Sequence, residues 1–404
     1  MMQLIKLAFR NLNRNRRRSI LSALAVSLGL ALLLLMASVV RGEMQGALDT
    51  SIKLSSGDLQ VRSSSYVEEK SSLKWADLVT NPDQVAAQIK ALPQVLEATP
   101  RLFATGIVTV GDTSIGVKLL GLDPVSKASA PYANGMTSGT YLTPDDQSGI
   151  LIGSTMADKL KVAVGDQVAL FANTSNGDVA QQTFTIRGIY STQTPAIDGS
   201  TVILPLAKAQ ALTQTTNHAS SIFVLLKDRD QSNAVAAALT TPGYQVLTWQ
   251  TMNDLTLQTE QMANSYMIFI YLIVLGVTAT VIVNTLIMAV FERTREIGIL
   301  AAIGMKGRRI MALFLTEAGL LAAAGIVVGL ILGLLTTLYF EKYGIFIGDI
   351  GTTGLLVGER IYAQLSADDV TMLTIVALAV TLVASLFPAV TAARLEPVEA
   401  LHGK

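Results

Sequence analysis

Residues Tyr266–Arg309 read YMIFIYLIVLGVTATVIVNTLIMAVFERTREIGILAAIGMKGRR, and the chain changes character at Glu292. The first 26 residues carry no charge; the next 18 carry seven. A hydrocarbon core of about 30 Å needs roughly 20 apolar residues in a helix rising about 1.5 Å per residue. Tyr266–Phe291 is therefore long enough to cross a membrane, and Glu292–Arg309 lies outside it. Ile310–Phe340 is apolar again, interrupted only by Glu317. Ile20–Val40 and Val370–Ala393, the latter holding Pro388, complete four expected spans. The second and third exceed what the hydrocarbon requires, so they tilt or protrude.

Composition points the same way. Of 404 residues 50% are hydrophobic and 15% charged, against about 25% charged in a soluble domain. Cysteine is absent, which excludes disulfides, thiolate-ligated zinc, thiol catalysis and iron–sulfur clusters. The two histidines, His218 and His402, fall in an expected surface position before a strand and in the C-terminal tail, so no histidine metal centre is expected. A formal net charge of zero argues against a nucleic-acid partner.

That zero conceals an asymmetry. Residues 1–19, 292–309 and 394–404 hold 13 basic and 4 acidic residues, a net of +9, and the rest of the chain carries −9. Lys and Arg in short flanks mark the cytoplasmic side. Both termini and the 292–309 loop are thus expected in the cytoplasm, with residues 41–265 and 341–369 outside it. The apolar part of the first span is longer than a signal peptide's and lacks a small-x-small cleavage site, so it is expected to remain as a span.

Residues 1–19 place Leu4, Ile5, Ala8, Phe9 and Leu12 on one helical face and Lys6, Arg10, Arg14 and Arg17 on another. This is an interfacial amphipathic pattern, in which each basic residue contributes about 1 kcal/mol toward anionic lipid. A solvated topology determinant fits the same pattern.

Residues 41–265 suffice for their own core and read as an α+β extracytoplasmic domain of two subdomains. Phe103–Val110 and Ser114–Leu120 flank Gly111-Asp112-Thr113 as a hairpin. Val168–Ala172, Thr183–Tyr190 and Ser221–Leu226 read as strands; Pro82–Leu92, Ser154–Lys161, Leu206–Thr213 and Gln231–Leu239 read as helices. Thr174–Asp178 and Pro195–Ser200 read as exposed turns. Trp249–Ser265 is helical in character and runs unbroken into the second span as a stalk.

No G-x-x-x-x-G-K-[ST], H-E-x-x-H or G-x-S-x-G motif occurs, and no acid pair lies within a span. The chain reads as noncatalytic. In the loop, Ile297, Leu300, Ala301 and Gly304 form one apolar helical stripe with charges at both ends, and Gly304 and Gly307 are expected to end that helix. Either the loop only fixes topology or it docks a partner. Glu317 lies one to two turns inside the third span; an unpaired charge costs at least about 2.5 kcal/mol near the bilayer centre but can snorkel near the end of a span, so it is read as a polar contact between helices in preference to a proton relay. Gly325, Gly329 and Gly333 form a ridge for close helix packing, within one chain or between two. The loop Gly344–Gly358 lies on the membrane or gates a path between subunits.

The run ERTREIGILAAIG at Glu292–Gly304, FLTEA at Phe314–Ala318, AFRNL-x-RN at Ala8–Asn15, LIG-x-x-x-ADKL-x-V-x-VGD at Leu151–Asp166 and AARLEPVEAL at Ala392–Leu401 resemble the FtsX-like permease family of ABC transporters, which includes MacB, LolC/LolE and FtsX. The resemblance spans nearly the whole chain and shares the layout of one span, a large outer domain and three further spans. It implies a permease that works by mechanotransmission, coupling ATP hydrolysis elsewhere to extraction or export of a lipoprotein, lipid, peptide or hydrophobic drug. The implied partners are two copies of a cytoplasmic ABC ATPase, which bind the ATP and Mg that this chain does not, a second permease chain, identical or related, membrane lipids, and a lipoprotein or periplasmic adaptor. Glu292, Arg293, Arg295, Glu296, Gly298, Leu300, Gly304, Arg308 and Arg309 then form the ATPase-coupling segment, with Ala301 where the family often has Arg or Lys. Because the sequence begins with the basic helix, the ATPase is expected as a separate chain. The alternative is an FtsX-like regulator that moves no substrate and activates an external cell-wall hydrolase; its smaller outer domain fits these 225 residues less well.

Overall fold

The computed structural model describes residues 2–14, 16–67, 71–239, 242–347 and 359–395. Two compact units result: Met1–Glu43 with Glu260–Ile345 and Tyr362–Lys404, and Met44–Thr259 with Phe346–Ile361.

The first unit contains all or most of four long helices, Arg16–Ser51, Asp254–Glu292, Gly307–Tyr343 and Ala367–Ala393, each long and apolar enough to cross a membrane. In lipid a backbone must satisfy its own hydrogen bonds, and a helix does so within one segment. The expected spans are thus the apolar middles of longer helices. Val26, Leu30, Leu33 and Leu34 of the first meet Leu275 and Ile282 of the second, Ala318 and Ala322 of the third, and Leu373 and Ala377 of the fourth. Phe269, Ile273, Leu335 and Phe387 stay exposed on the outside, as expected of helices solvated by lipid.

The glycine ridge is used within the chain. A Cβ built on Gly325 falls 2.7 Å from Val26 Cβ, on Gly329 2.8 Å from the Ser27 carbonyl oxygen, and on Gly333 2.7 Å from Leu34 Cδ1. Only hydrogen at these positions lets the first and third helices approach so closely.

The second unit is α+β. Its strands are β1 (Leu59–Ser63), β2 (Val79–Thr80), β3 (Val95–Val110), β4 (Thr113–Leu122), β5 (Met136–Gly139), β6 (Gly149–Gly153), β7 (Gln167–Asn173), β8 (Val179–Tyr190), β9 (Thr201–Pro205), β10 (His218–Ala219), β11 (Ser221–Leu226) and β12 (Tyr244–Thr248). The long β3 serves two cores. Its first half pairs with β11, which pairs β1 and so reaches β12; its second half pairs with β4 and β7. Helices Pro82–Lys90 and Ser232–Leu239 cover the first half through Ile89 and Val235. Helices Ser154–Leu160 and Leu206–Thr213 cover the second through Met156 and Leu212.

The expected hairpin forms, with Gly111 at φ +55 in its turn. Two readings of this unit are corrected. Pro195–Ser200 is no exposed turn: Pro195–Asp198 is a short helix with Ile197 and Asp198 buried. The Asp198 carboxylate accepts from the Thr192 amide at 2.9 Å, the Thr192 hydroxyl at 2.8 Å and the Ser191 hydroxyl at 3.0 Å. Burial lifts its pKa above the ordinary aspartate value, and these hydrogen bonds oppose the rise. Nor does Trp249–Ser265 run unbroken: a short helix Trp249–Met252 stops at Asn253 before the long helix begins at Asp254. Buried Asn253 accepts from Ser51 Oγ at 2.5 Å and donates to Ser56 Oγ at 3.1 Å, a local polar knot that outweighs helical continuity.

Arg101 is fully buried in this unit. It donates to the Leu54 carbonyl at 2.7 Å and the Ala128 carbonyl at 3.0 Å, and its guanidinium lies 3.5 Å from the Phe223 ring centroid. Leu54 belongs to the single π-helical turn Ile52–Ser56 that follows the first long helix. Desolvation pulls the Arg101 pKa down to about 10, which leaves it charged at neutral pH.

Candidate partner-docking site

Between the second and third spans, Thr294–Ala302 forms a connecting helix. Ile297 is buried in a cluster with Val290, Ile310, Phe314, Ala389 and Ala392, and half-buried Ala301 and Met305 pack on it. Ile297 and Ala301 of the apolar stripe are therefore turned into the bundle, with Gly298 buried, Leu300 half-buried and Gly304 exposed. Gly304, at φ +94, ends the helix: its amide donates to the Ala301 carbonyl and the Met305 amide to the Leu300 carbonyl, each at 3.0 Å. This paired C-cap needs a left-handed residue that glycine supplies without strain. Gly307 plays a different part from the one expected. It is the first residue of the third long helix, where a Cβ would sit 2.8 Å from the Ala393 carbonyl oxygen.

The outward face carries residues that the sequence reading missed. Ile299 is 43% exposed and Ile303 79% exposed, in line with exposed Arg295. Positions 295, 299 and 303 share one face at i, i+4 spacing. The signal was present, since both stripes are apolar; periodicity alone does not say which one faces in. Arg308 and Arg309 are also exposed, and with Arg295 they make no side-chain ion pair among the described residues.

Three polar contacts hold the helix in place. Arg14, on the N-terminal helix Met2–Arg14, donates to both Glu296 oxygens at 2.8 and 2.9 Å. That hydrogen bond and the arginine's charge hold the Glu296 pKa below the ordinary carboxylate value and raise that of Arg14. Arg18 binds Glu292 through two parallel bonds of 2.6 and 2.5 Å. Arg293, grouped by the sequence with the partner-facing residues, is instead buried. It donates to Glu317 Oε1 at 3.3 Å and to the Asn11 carbonyl at 3.1 Å, while the Asn11 amide donates to the same Glu317 oxygen at 2.6 Å. Glu317 thus joins three helical segments. Of the expected coupling residues, Glu292, Arg293 and Glu296 are spent on partners within the chain, leaving Arg295, Arg308 and Arg309 exposed and without an ion-pair partner among the described residues.

The expected lipid-facing set divides as well. Lys6, Arg10 and Arg17 have no ion-pair partner among the described residues, whereas Arg14 is engaged by Glu296. The Gly344–Gly358 loop beyond residue 347, and Glu396, Glu399, His402 and Lys404, lie outside the described residues. Among those described, no group of three His, Asp or Glu gathers that could hold a metal ion.

Residues 19–241 match the MacB-like periplasmic core domain, and residues 268–397 match the FtsX-like permease C-terminal domain, which includes the connecting helix and Glu317. The chain belongs to the FtsX-like permease family of ABC transporters. Within that family it is a permease of LolC, LolE and MacB type, a membrane protein with an extracytoplasmic α+β domain. It is 26% identical over 394 residues to the lipoprotein-releasing system transmembrane protein LolE of Haemophilus influenzae, covering 94% of this chain and 93% of that one. It is 23% identical over 327 residues to the LolC protein of Neisseria meningitidis serogroup B, covering 76% and 78%. Against the macrolide export ATP-binding/permease protein MacB of Nitrobacter winogradskyi it is 28% identical over 282 residues, covering 66% of this chain and 41% of that protein. The crystal structure of the periplasmic region of MacB from Actinobacillus actinomycetemcomitans aligns with 52% of this chain at 14% identity and a TM-score of 0.37.

Proposed function

We propose that this FtsX-like permease is the membrane half of an ATP-driven machine, docking a separate cytoplasmic ABC ATPase on the outward face of its connecting helix. The observation that carries the proposal is the exposed Ile299–Ile303 pair on a helix whose opposite face is packed through Ile297 and tied by Arg14–Glu296, Arg18–Glu292 and Arg293–Glu317. An exposed apolar pair on a loop whose unpaired charges, Arg295, Arg308 and Arg309, are all basic suits a protein groove with an acidic edge. A push delivered there passes into the second and third spans, because the connecting helix is packed and bonded to both ends of the loop.

In this reading both termini and the loop are cytoplasmic, as the basic excess at this end favours. Two permease chains, identical or related, work with two ATPases, and ATP-driven closure moves the extracytoplasmic domains. The LolE and LolC relatives are lipoprotein-releasing proteins by name, which supports an amphiphilic substrate such as a lipoprotein. The test is co-purification with candidate ABC ATPases. Ile299→Asp/Ile303→Asp abolishes recovery of the ATPase while leaving the melting temperature of the isolated permease unchanged. Full recovery with that variant refutes the docking face.

A further inference from the structure

Two hollows meet at the basic end of the bundle. One is an apolar groove of about 580 Å³ between the N-terminal helix and the first and third spans, lined by Phe9, Leu12, Ile20, Ala23, Leu320 and Ala324. The other is a polar cleft of about 500 Å³ lined by Arg14, Arg16, Arg17, Arg18 and Glu292. Asn13 and Arg16 line both.

The charges in the cleft are not equivalent. Arg14 is taken by Glu296, and Glu292 is neutralised by its two-bonded pairing with Arg18. Arg16 is held by its Nε, which donates to the Asn13 side-chain oxygen at 2.8 Å, and its two terminal nitrogens have no partner among the described residues. Arg17 likewise has none, and both are exposed. A guanidinium oriented by its own Nε, with a second beside it, is a fork that suits a phosphate. The groove leads away from this fork. From Arg16 to Ala23 the first span rises roughly 10 Å, the depth over which a bilayer passes from headgroups to acyl chains.

We propose that this paired hollow is a binding site for a single anionic phospholipid, with the phosphate on Arg16 and Arg17 and an acyl chain lying along Phe9, Ile20 and Ala324. Charge complementarity selects an anionic lipid, because the cleft's one carboxylate is already paired and two cations are left over. The lipid fills the gap between the N-terminal helix and the spans, and so braces the helix that holds Glu296 through Arg14. The site requires only that these helices cross a bilayer with this end at headgroup level; it does not depend on ATPase docking.

The test uses the full chain in nanodiscs, with no ATPase present. Phe9, 66% exposed at the groove, is replaced by Trp, and dibrominated phosphatidylglycerol is titrated into a phosphatidylcholine background. The fluorescence of the parent chain, whose two tryptophans Trp75 and Trp249 belong to the other unit, is subtracted. Saturable quenching at low mole fraction is expected. Arg16→Gln/Arg17→Gln in the same background raises the midpoint by roughly 25-fold, taking about fivefold for each basic residue. Lys6→Gln/Arg10→Gln, which removes equal charge elsewhere on the N-terminal helix and weakens only the diffuse attraction to the surface, raises the midpoint clearly less, and added inorganic phosphate leaves it unchanged. Equal quenching by dibrominated phosphatidylcholine, or no effect of Arg16→Gln/Arg17→Gln, overturns the site. Equal loss with Lys6→Gln/Arg10→Gln reduces it to surface attraction, and displacement by inorganic phosphate makes it a free-anion cleft; either result contradicts the proposal.

Discussion

Arg293 and Glu317 meet inside the bundle at 3.3 Å, with side chains 7% and 3% exposed. They join the loop between the second and third spans to the third span itself, and Asn11 adds the N-terminal helix. Removing one partner strands the other charge in a site that offers it little water. Arg293→Ala or Glu317→Ala is therefore expected to destabilise the chain by about 3–5 kcal/mol, while Arg293→Met/Glu317→Leu recovers most of that loss. Thermal unfolding in detergent checks this; a double variant as unstable as the singles would show that the pair does more than satisfy its own burial.

Close approach of the first and third spans makes a second prediction. Gly329→Leu must displace the Ser27 backbone and is expected to cost about 1–3 kcal/mol. Gly276, with nothing within 4 Å of a built Cβ, is the internal comparison: Gly276→Ala is neutral or stabilising by up to about 1 kcal/mol. Equal melting temperatures for Gly329→Leu and the parent chain would remove the glycine ridge from the packing argument.

Asp198 provides a pH test in the extracytoplasmic unit. Burial raises its folded pKa above the unfolded value, so the folded state holds this proton more tightly. Stability attributable to the group therefore falls as pH rises from the ordinary carboxylate range through the raised value, and is level above it. The stability difference between the parent chain and Asp198→Asn should shift in that direction as pH rises from about 4, the ordinary aspartate value. A difference independent of pH would mean that the hydrogen bonds from Thr192 and Ser191 cancel the desolvation.

Arg101 sits where the π-helical turn meets the sheet, bridging the Leu54 and Ala128 carbonyls. Arg101→Lys cannot reproduce two diverging donors and a flat face on Phe223. It is expected to lower stability nearly as much as Arg101→Met, by about 2–4 kcal/mol. Denaturant unfolding that ranks the lysine variant with the parent would contradict the planar-fork role.

Four spans, the β3–β4 hairpin and four helices of the outer unit are legible because each rests on a local pattern: a run of apolar residues, an alternation, a glycine turn. Strands β1, β6, β9 and β12 are short and lack clean alternation; what makes them strands is pairing with distant partners. Pro195–Ser200 has the composition of a turn, yet the surrounding sheet buries it. At the candidate site, the Gly304 stop is written in the sequence, while the sidedness of the connecting helix is not. Ile297 and Ile299 are equally apolar, and only Val290, Phe314 and Ala392 decide which is covered. The Arg293–Glu317 contact is hidden for a related reason. A loop arginine looks like a surface charge until the fold brings a buried carboxylate to it.

In the proposed docking, Ile303 and Ile299 face a cytoplasmic ATPase. Because the chain contains no cysteine, Ile303→Cys and Ile297→Cys each introduce a single thiol into an otherwise unreactive protein. The most direct measurement is the rate of maleimide labelling of each variant, with and without a co-purifying ABC ATPase. Docking predicts fast labelling at 303 that the ATPase suppresses by on the order of tenfold or more, the effect of excluding solvent from an interface core, and slow labelling at 297 in both conditions. Labelling at 303 that is indifferent to the ATPase, in a complex that forms and turns over ATP, would contradict it.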